Sequence, residues 1–516
     1  MNSRDVVRRL RAFQAGQPLV RGETRHFAIA GDDDLLIVAF LRMGGEARPW
    51  GIAFGHPNEE PRILTVPEPR NRDLVAEMAA GFAPALLRHL RAPGFVDTPP
   101  AAWEHLRPLR QLSLPNPSHL EMLHHLAYAY TFTRYGGEAQ PLLNALGRAC
   151  GWLFREAQRP GEQHVLVTTE ALRESFTFPA QDIRQVHLGY LLAWLETRGD
   201  RETRIQAAME AERSAIATSL DPSIERDEIE RALDAWHNSA GDRDEDEMET
   251  ARQLIHQVLE RELRRRHDLT RQAIVRLRSD PRRINAGIST LVERGLKEQW
   301  FQYQRTELRI ANGEEGVFVP SPETDRSPPA AGAQYQKHVA SAELLGTLLA
   351  HDDSESFSDL VATGDAFNGV IESVRDEGRG QTTKPVWRIR SPNQGPLRLR
   401  GNSWVSLLGL PDRYGEIRSI DDQLDGTRLF EVEILGLKTR PRGSRASGVL
   451  PANDRRHEGT TVEFVKKPAH GIAERIAQRI WDRDVPGAWI THARPAGRRA
   501  TLPADVAENL EVVESA

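Results

Sequence analysis

Apolar residues recur with two different periods along this chain, and the change of period divides the chain into two parts. From Pro99 to about Leu308 they fall three and four residues apart, which is the spacing of one face of an α-helix. After a stretch rich in proline, glycine and serine at 312–335, they alternate with polar residues, as half-buried strands require. With 516 residues the chain is expected to hold several domains, since one domain holds roughly 100–200 residues. The two periods therefore predict an α+β multidomain protein.

The first part begins with a small α+β module, residues 1–97. Four short apolar runs, "RHFAIA", "DLLIVAFLRM", "PWGIAFGH" and "RILTV", are separated by turn residues and predict an antiparallel meander. A helix should follow over "NRDLVAEMAAGFAPALLRHLRA", with Asn71 or Asp73 near its N-cap. Residues 98–240 then predict a helical domain whose aromatic side chains, including Tyr128, lie in the core.

Residues 241–311 show the clearest helical pattern of the chain. An apolar stripe from Met248 to Leu277 is interrupted at Pro281 and resumes at Ile284. Two long helices with a short break predict an antiparallel helical hairpin that forms a stalk. Residues 312–335 are predicted to be a linker, because they are rich in proline, glycine and serine.

The pattern changes to β structure within residues 336–440. A short helix is followed by five strand-like runs whose spacing and turn residues suit a small β-barrel. In "TRLFEVEIL" the apolar Phe430 and Val432 share one face, and glutamates occupy the other. The dipeptide Asp425-Gly426 suits the tight turn of a hairpin, because such turns need positive φ.

Charge is unevenly distributed. The whole chain carries a formal net charge of -6, but the segment from Lys438 to Arg499 has 14 lysines and arginines against 6 acidic residues. Such a segment indicates an interaction with phosphates, although the total charge excludes a globally basic nucleic-acid binder. Residues 441–516 are predicted to be a basic C-terminal α+β segment.

Arginines beside a small barrel predict a nucleic-acid interface, because guanidinium groups pair with phosphates and aromatic rings stack on bases. The candidate nucleic-acid-binding residues are Arg440, Arg442, Arg445, Arg455, Arg456, Lys466, Lys467 and Trp404. Trp387 and Tyr414 are further possible stacking partners. The alternative is that the tryptophans belong to the core and the arginines to solvated loops.

Several common catalytic motifs are missing from the sequence. None of the six lysines follows a glycine, so the Gly-Lys-Ser/Thr of a P-loop is absent. There is also no Gly-x-Ser-x-Gly, no His-Glu-x-x-His and no kinase signature, and no catalytic residue, metal or cofactor is predicted. Two alternatives stay open: a protein-protein scaffold, and a divergent nuclease that uses Glu433 or Glu463.

The sequence also bears on location. No apolar run approaches the about 20 residues that a bilayer span needs, and the first residues lack the apolar core of a signal peptide. The single cysteine, Cys150, allows no intramolecular disulfide. We expect a cytoplasmic protein without a membrane partner.

The stalk and barrel together resemble a known architecture. A long helical hairpin beside strands such as "GVIESV", "LRLRGNSWVSL" and "GEIRSIDDQLDGTRLFEVEIL" is similar to the accessory region of superfamily 1B helicases of the nonsense-mediated-decay and replication helicase-nuclease type. "EGTTVEFVKKPAHGIAERIAQRIWDRDVPGAWITHARP" looks like the segment that leads from such a barrel toward a motor domain, so the resemblance covers residues 245–500.

The resemblance implies a barrel that touches DNA or RNA. The family's ATP-binding loop, its Asp-Glu pair and its motor arginines have no match in this chain. It therefore implies an accessory subunit, or the front half of a split helicase, that is not catalytic by itself and works with a separate ATPase motor chain. Helicases of this kind often belong to multi-gene systems, including antiviral defence against phage.

Overall fold

The computed structural model describes residues 3–21, 26–44, 46–90, 110–242, 245–279, 286–311, 328–377, 384–392, 395–435 and 457–467. The chain divides into two compact units, Met1–Ser321 with Ala342–Pro468 and Pro322–Ser341 with Ala469–Ala516. The sheet, the barrel and the sites described below lie in the first unit.

The helices and strands follow in this order: α1 (Ser3–Ala15), β1 (Leu19–Val20), β2 (Leu35–Arg42), β3 (Pro49–Gly55), β4 (Arg62–Thr65), α2 (Arg72–His89), β5 (Gln111–Leu114), α3 (Pro117–Tyr130), α4 (Gln140–Ala157), β6 (Val165–Val167), α5 (Thr168–Ser175), β7 (Phe176–Thr177), α6 (Leu188–Glu196), α7 (Arg201–Glu212), α8 (Pro222–Ile224), α9 (Glu230–Asp242), α10 (Glu245–Ser279), α11 (Ala286–Ala311), α12 (Pro328–Asp352), α13 (Ser354–Thr363), β8 (Ala366–Glu377), β9 (Lys384–Ser391), β10 (Trp404–Leu407), β11 (Leu410–Asp422), β12 (Arg428–Ile434) and β13 (Thr461–Lys466). The predicted α+β, multidomain class is confirmed.

The N-terminal sheet has five strands in the order β4-β3-β2-β5-β6. Strands β2, β3 and β4 form the predicted antiparallel meander, and Asn71 caps α2 by accepting hydrogen bonds from the Asp73 and Leu74 N–H groups. Strands β5 and β6 come from the segment that was predicted to be helical, and they extend the sheet in parallel to β2. The central strand β2 is buried along nearly its whole length, as expected for a strand covered on both faces.

Helix α10 covers one part of this sheet. It packs on β2, β3 and β4 and on α5, α6 and α9, and its side chains Leu259, Leu263 and Ile274 are fully buried. Gly51 of β3 allows this approach, because a Cβ there would lie 2.7 Å from Leu263 Cδ1. The stalk interpretation did not anticipate these contacts: an apolar stripe predicts burial but does not identify the partner.

Helix α11 joins the same body through close backbone contacts. A Cβ on Gly295 would lie 1.8 Å from the Gly161 carbonyl oxygen, so only glycine fits there. At its start, the Gly287 and Ile288 N–H groups donate to the Asp352 carboxylate at 2.9 and 2.7 Å. Asp352 ends α12, so this cap fixes α12 against α11.

The aromatic residues of the 98–240 segment separate into two groups. Tyr130, Trp152, Tyr190 and Trp194 are buried, as predicted. Tyr128 is 90% exposed, so its assignment to the core was wrong. It lies two positions from Tyr130 on α3, and helical geometry places such neighbours on different faces.

The second part is a closed barrel with the strand order β10-β11-β12-β9-β8-β13. The five predicted strands are confirmed, and Gly426 in the β11–β12 turn has a φ of +84°. Phe430 and Val432 lie in the barrel core, where the Phe430 ring stacks on Phe367 at a centroid distance of 3.9 Å.

The barrel extends beyond residue 440. The sixth strand, β13, lies in the segment that was predicted to be separate, and it pairs with both β8 and β10. It was not foreseen as a barrel strand because its partners are distant in sequence. Its pairing closes the barrel and removes the exposed edges of β8 and β10. No helix among the described residues is long and apolar enough to span a membrane.

Candidate nucleic-acid interface on the barrel

The outer face of β10 and β11 carries a pair of aromatic rings. Val405 and Leu407 of β10 point into the barrel core, so the alternate residues Trp404 and Ser406 point outward. Ser406 lies opposite Tyr414 on β11, which places Tyr414 on the same outer face as Trp404. The Trp404 and Tyr414 rings stack with centroids 5.8 Å apart and planes inclined by 16°.

Strand β13 brings basic residues to these rings. The Lys467 N–H donates to the Trp404 carbonyl oxygen at 2.7 Å, and the Lys467 Nζ lies 3.7 Å from the centroid of the Tyr414 ring. An ammonium group so close to a ring face makes a favourable cation–π contact. The lysine and the two rings therefore form one layer on the barrel surface.

Two further cations lie at this end of the barrel, where Lys466 is the partner of the inward-pointing Val405 and so leaves the opposite face of β13 from Lys467. Lys466 Nζ lies 3.5 Å and Arg398 Nη1 3.2 Å from the Asp365 carboxylate, so one carboxylate is shared between two cations. The Lys466 and Arg398 side chains are 48% and 68% exposed, which leaves both within reach of a solvent-borne anion. We call Trp404, Tyr414, Arg398, Lys466 and Lys467 the Trp404 patch.

A buried histidine fixes the strand beneath the patch. The Gly409 N–H donates to His351 Nδ1 at 3.1 Å, so the ring proton lies on Nε2, which donates to Ser406 Oγ at 3.1 Å. Burial, and secondarily the charge of Lys467, lowers the pKa of His351 to about 4. The neutral imidazole therefore connects α12 to β10 and holds the outer face of this strand in place.

Several arginines on the remaining outer surface of the barrel are paired with carboxylates. The ion pairs on β8, β9, β11 and β12 and their turns join Arg375 to Glu431, Arg390 to Glu372 and Asp425, Arg418 to Glu377 and Glu433, and Arg428 to Asp422. The Trp404 patch also carries carboxylates nearby, because Glu416 lies opposite Trp404 in the β10–β11 ladder and Asp365 is shared by Lys466 and Arg398. The patch differs from these strands in its stacked aromatic pair and the lysine over one ring.

The acidic residues of the nuclease alternative do not converge. Glu433 accepts hydrogen bonds from Arg418 Nε and Nη2 at 3.0 and 2.6 Å, and Glu463 lies opposite Asn368 in the β13–β8 ladder. Within the described ranges there is no group of three or more histidine, cysteine or acidic side chains that could hold a metal ion.

The predicted site residues divide into two sets. Trp404, Lys466 and Lys467 meet in the patch, although 61 residues separate Val405 from its β13 partner Lys466. Trp387, a possible stacking partner, lies in the barrel core. The other candidates lie outside the described residues: Arg440, Arg442, Arg445, Arg455 and Arg456.

The described chain approaches those arginines from beside the patch. Leu435, the last described residue before them, donates its N–H to the Tyr414 carbonyl oxygen at 2.8 Å. Sequence reasoning missed Arg398, Asp365 and His351, which reach the patch only through the barrel's long-range pairing and carry no local signal.

Aromatic rings and flexible cations are the groups with which proteins that bind single-stranded nucleic acid contact bases and phosphates. Comparison with protein-family models, curated proteins and solved structures finds no match for this chain.

Proposed function

We propose that the barrel binds a nucleic-acid strand through the Trp404 patch and the basic residues that follow it in sequence. A base stacks against the accessible part of the Trp404 ring, while Arg398, Lys466 and Lys467 pair with the neighbouring phosphates. The observation that supports this proposal is a stacked aromatic pair on the barrel surface with a lysine ammonium over one of its rings.

The chain would act as an accessory subunit in the cytoplasm. Because its sequence has no P-loop, movement along a strand would require ATP hydrolysis on a separate motor chain. The resemblance to superfamily 1B helicases is consistent with this division of labour, and it suggests antiviral defence as one setting.

The proposal is tested by fluorescence anisotropy with labelled single- and double-stranded DNA and RNA at low and physiological salt. Trp404→Ala should weaken the binding of a single strand about 5- to 150-fold, which corresponds to the ~1–3 kcal/mol of one base–aromatic stack. Arg375→Ala is the matched control, because it removes an exposed arginine that is paired with Glu431 on another part of the barrel. Absence of binding to all four nucleic acids, or equal losses in the two variants, would contradict the proposal.

A second candidate function, a protein scaffold, is favoured by a different surface. Three aromatic side chains in and just after α3 are exposed: Tyr128 by 90%, Phe132 by 71% and Tyr135 by 40%. Exposed clusters of this kind often mark protein-binding surfaces. Association with a motor chain encoded nearby, measured by calorimetry, should then tolerate high salt and weaken in Tyr128→Ser/Phe132→Ser.

A further inference from the structure

A second arginine-rich site lies in the α/β part, away from the barrel strands. A cavity of about 590 Å³ opens between α1, the end of α4 and α5. Five arginines line it: Arg8, Arg9, Arg21, Arg159 and Arg173. Two carboxylates, Glu170 and Glu174, and the imidazole of His26 complete its charged lining.

The fold brings these arginines together by two pairings. Strands β1 and β7 pair antiparallel, so that Arg21 N–H donates to the Ser175 carbonyl oxygen at 2.6 Å. The Arg21 Nη1 donates to the Arg173 carbonyl oxygen at 3.2 Å, which places these two arginines on adjoining walls.

The other arginines are oriented by carboxylates around the cavity. The Arg159 side chain is 4% exposed and bridges Glu156 and Glu298 at 2.8 and 2.9 Å. Arg8 of α1 contacts Asp353 and Glu355 at 3.2 and 3.3 Å. Guanidinium groups that are held in this way lose little further conformational freedom when they bind an anion.

The two glutamates of the cavity have different surroundings. Glu174 contacts His26 twice. The His26 Nδ1 lies 2.7 Å from Glu174 Oε1, and the His26 backbone N–H donates to Oε2 at 3.0 Å. Burial, together with the charge of Glu174, raises the pKa of Glu170, so its carboxyl group stays protonated to a higher pH than usual.

We infer that this cavity binds a phosphate monoester of a nucleotide. Arginine forks match phosphate oxygens in bidentate geometry, and a volume of about 590 Å³ falls in the ~300–1,000 Å³ range of small-molecule sites. The phosphate belongs either to a free mononucleotide or to the 5′ end of a strand. This inference does not require the Trp404 patch, except that the strand-end source rests on the proposed function.

The position of α13 favours the strand end. Arg8 contacts Asp353, the N-cap of α13, while Arg398 and Lys466 contact Asp365, just beyond the end of that helix. A helix of 10 residues spans about 15 Å, so Arg8 of the cavity lining and the cations on Asp365 lie near opposite ends of α13. A strand held at the patch could extend along this short distance to the cavity.

The test uses calorimetry on the full chain with AMP, adenosine and two 12-nucleotide single strands of the same sequence, one 5′-phosphorylated and one with a 5′-hydroxyl. At least one phosphorylated probe should bind tenfold or more tightly than its unphosphorylated counterpart. Tighter binding of AMP identifies a free nucleotide as a ligand, and a preference confined to the phosphorylated strand identifies the strand end. If neither probe shows a preference, the inference is overturned.

Variants locate the site. Arg173→Gln, and separately Arg9→Gln on the peripheral helix α1, should each remove at least tenfold of the phosphate preference. Arg213→Gln is the control, because this side chain is 77% exposed outside the cavity lining. Equal losses in Arg213→Gln and the cavity variants would overturn the assignment. Trp404→Ala should leave AMP binding unchanged, so failure of the barrel interface and failure of the cavity are distinguishable.

Discussion

The α/β part and the barrel both contain arginine–carboxylate networks, but the network is buried in the α/β part and exposed on the barrel. In the α/β part the central pair is buried, with Arg266 fully inaccessible and Glu262 nearly so. On the barrel the networks lie at the surface, and beside them the Trp404 patch places a lysine over a stacked aromatic pair. The buried network stabilises a particular backbone arrangement, whereas the surface pairs are solvated and contribute little to stability.

The buried network closes a position where α/β proteins often bind ligands. In open sheets that position lies beyond the carboxyl ends of parallel strands where the strand order reverses, here between β2 and β5. The chain's own residues 216–219 occupy it: Arg266 donates to the Ala217 and Ser219 carbonyl oxygens at 3.0 and 3.2 Å, and Arg42 N–H donates to the Thr218 carbonyl at 2.8 Å. Ligand binding is therefore expected elsewhere, at the barrel and the arginine-lined cavity.

The largest expected effect comes from breaking the buried pair. Burial raises the pKa of Glu262, but the hydrogen bonds and charges of Arg265 and Arg266 lower it by a larger amount. The net pKa is therefore below its usual value, and the carboxylate is ionised at neutral pH. Glu262→Ala leaves Arg266 charged and buried without its carboxylate, which should cost about 3–5 kcal/mol of unfolding free energy. The measurement is urea unfolding followed by circular dichroism.

The surface pair on the barrel provides the contrast. Arg375→Ala removes an exposed partner of Glu431 and should cost about 0–1 kcal/mol in the same measurement. Similar losses for Glu262→Ala and Arg375→Ala would show that the two networks do not differ in the way that their burial suggests.

Two tryptophans of the barrel sharpen the comparison between core and surface. Trp387 is buried among the barrel core residues, so Trp387→Ala should lower the unfolding free energy by about 3–5 kcal/mol. Trp404→Ala should lower it much less while weakening strand binding. Measuring unfolding and anisotropy on both variants separates the roles. Loss of binding only in parallel with loss of stability would argue against a binding role for Trp404.

Mild acid should destabilise both parts, and the α/β part more, because it holds His89, His119 and His267 whereas His351 lies beside the barrel. Burial lowers the pKa of His89 and His119 to about 3 and that of His267 to about 4. In the unfolded chain these groups titrate near ~6.5, so below that pH the unfolded state binds more protons and stability falls. Each such histidine should cost about 1 kcal/mol at pH 5.5 relative to pH 7.5.

The urea midpoint at these two pH values measures this loss. In His119→Gln the difference in unfolding free energy between pH 5.5 and pH 7.5 should shrink by about 1 kcal/mol. His119 accepts from the Phe40 N–H and donates to the Ile216 carbonyl, so glutamine also offers an acceptor and a donor. An unchanged pH difference in this variant would exclude His119 as a source of the acid sensitivity.

The sequence predicted features that depend on neighbouring residues, and it missed those that depend on residues distant in the chain. The Asp425-Gly426 turn, the Asn71 cap and the alternation around Phe430 are local, and all three are present. The partner of α10, the parallel strands β5 and β6, and the closing strand β13 depend on distant contacts that a local pattern cannot specify. The patch divides in the same way: residue types pointed to Trp404 and the lysines, but only barrel closure joins them.

The smallest expected effect tests whether the patch touches phosphates at all. Each phosphate contact to a single strand contributes about 0.7 to the slope of log affinity against log salt, because counterions are released. Lys466→Ala should therefore reduce the magnitude of that slope by about 0.7, and Arg375→Ala should leave it unchanged. Both lysine and arginine here have a carboxylate neighbour, Asp365 and Glu431, so the two variants differ chiefly in location. A slope that responds to Lys466 alone would place phosphates at the Trp404 patch. Equal responses would mean that the strand is attracted by the barrel's charge as a whole, and the patch would have no special role in binding phosphates.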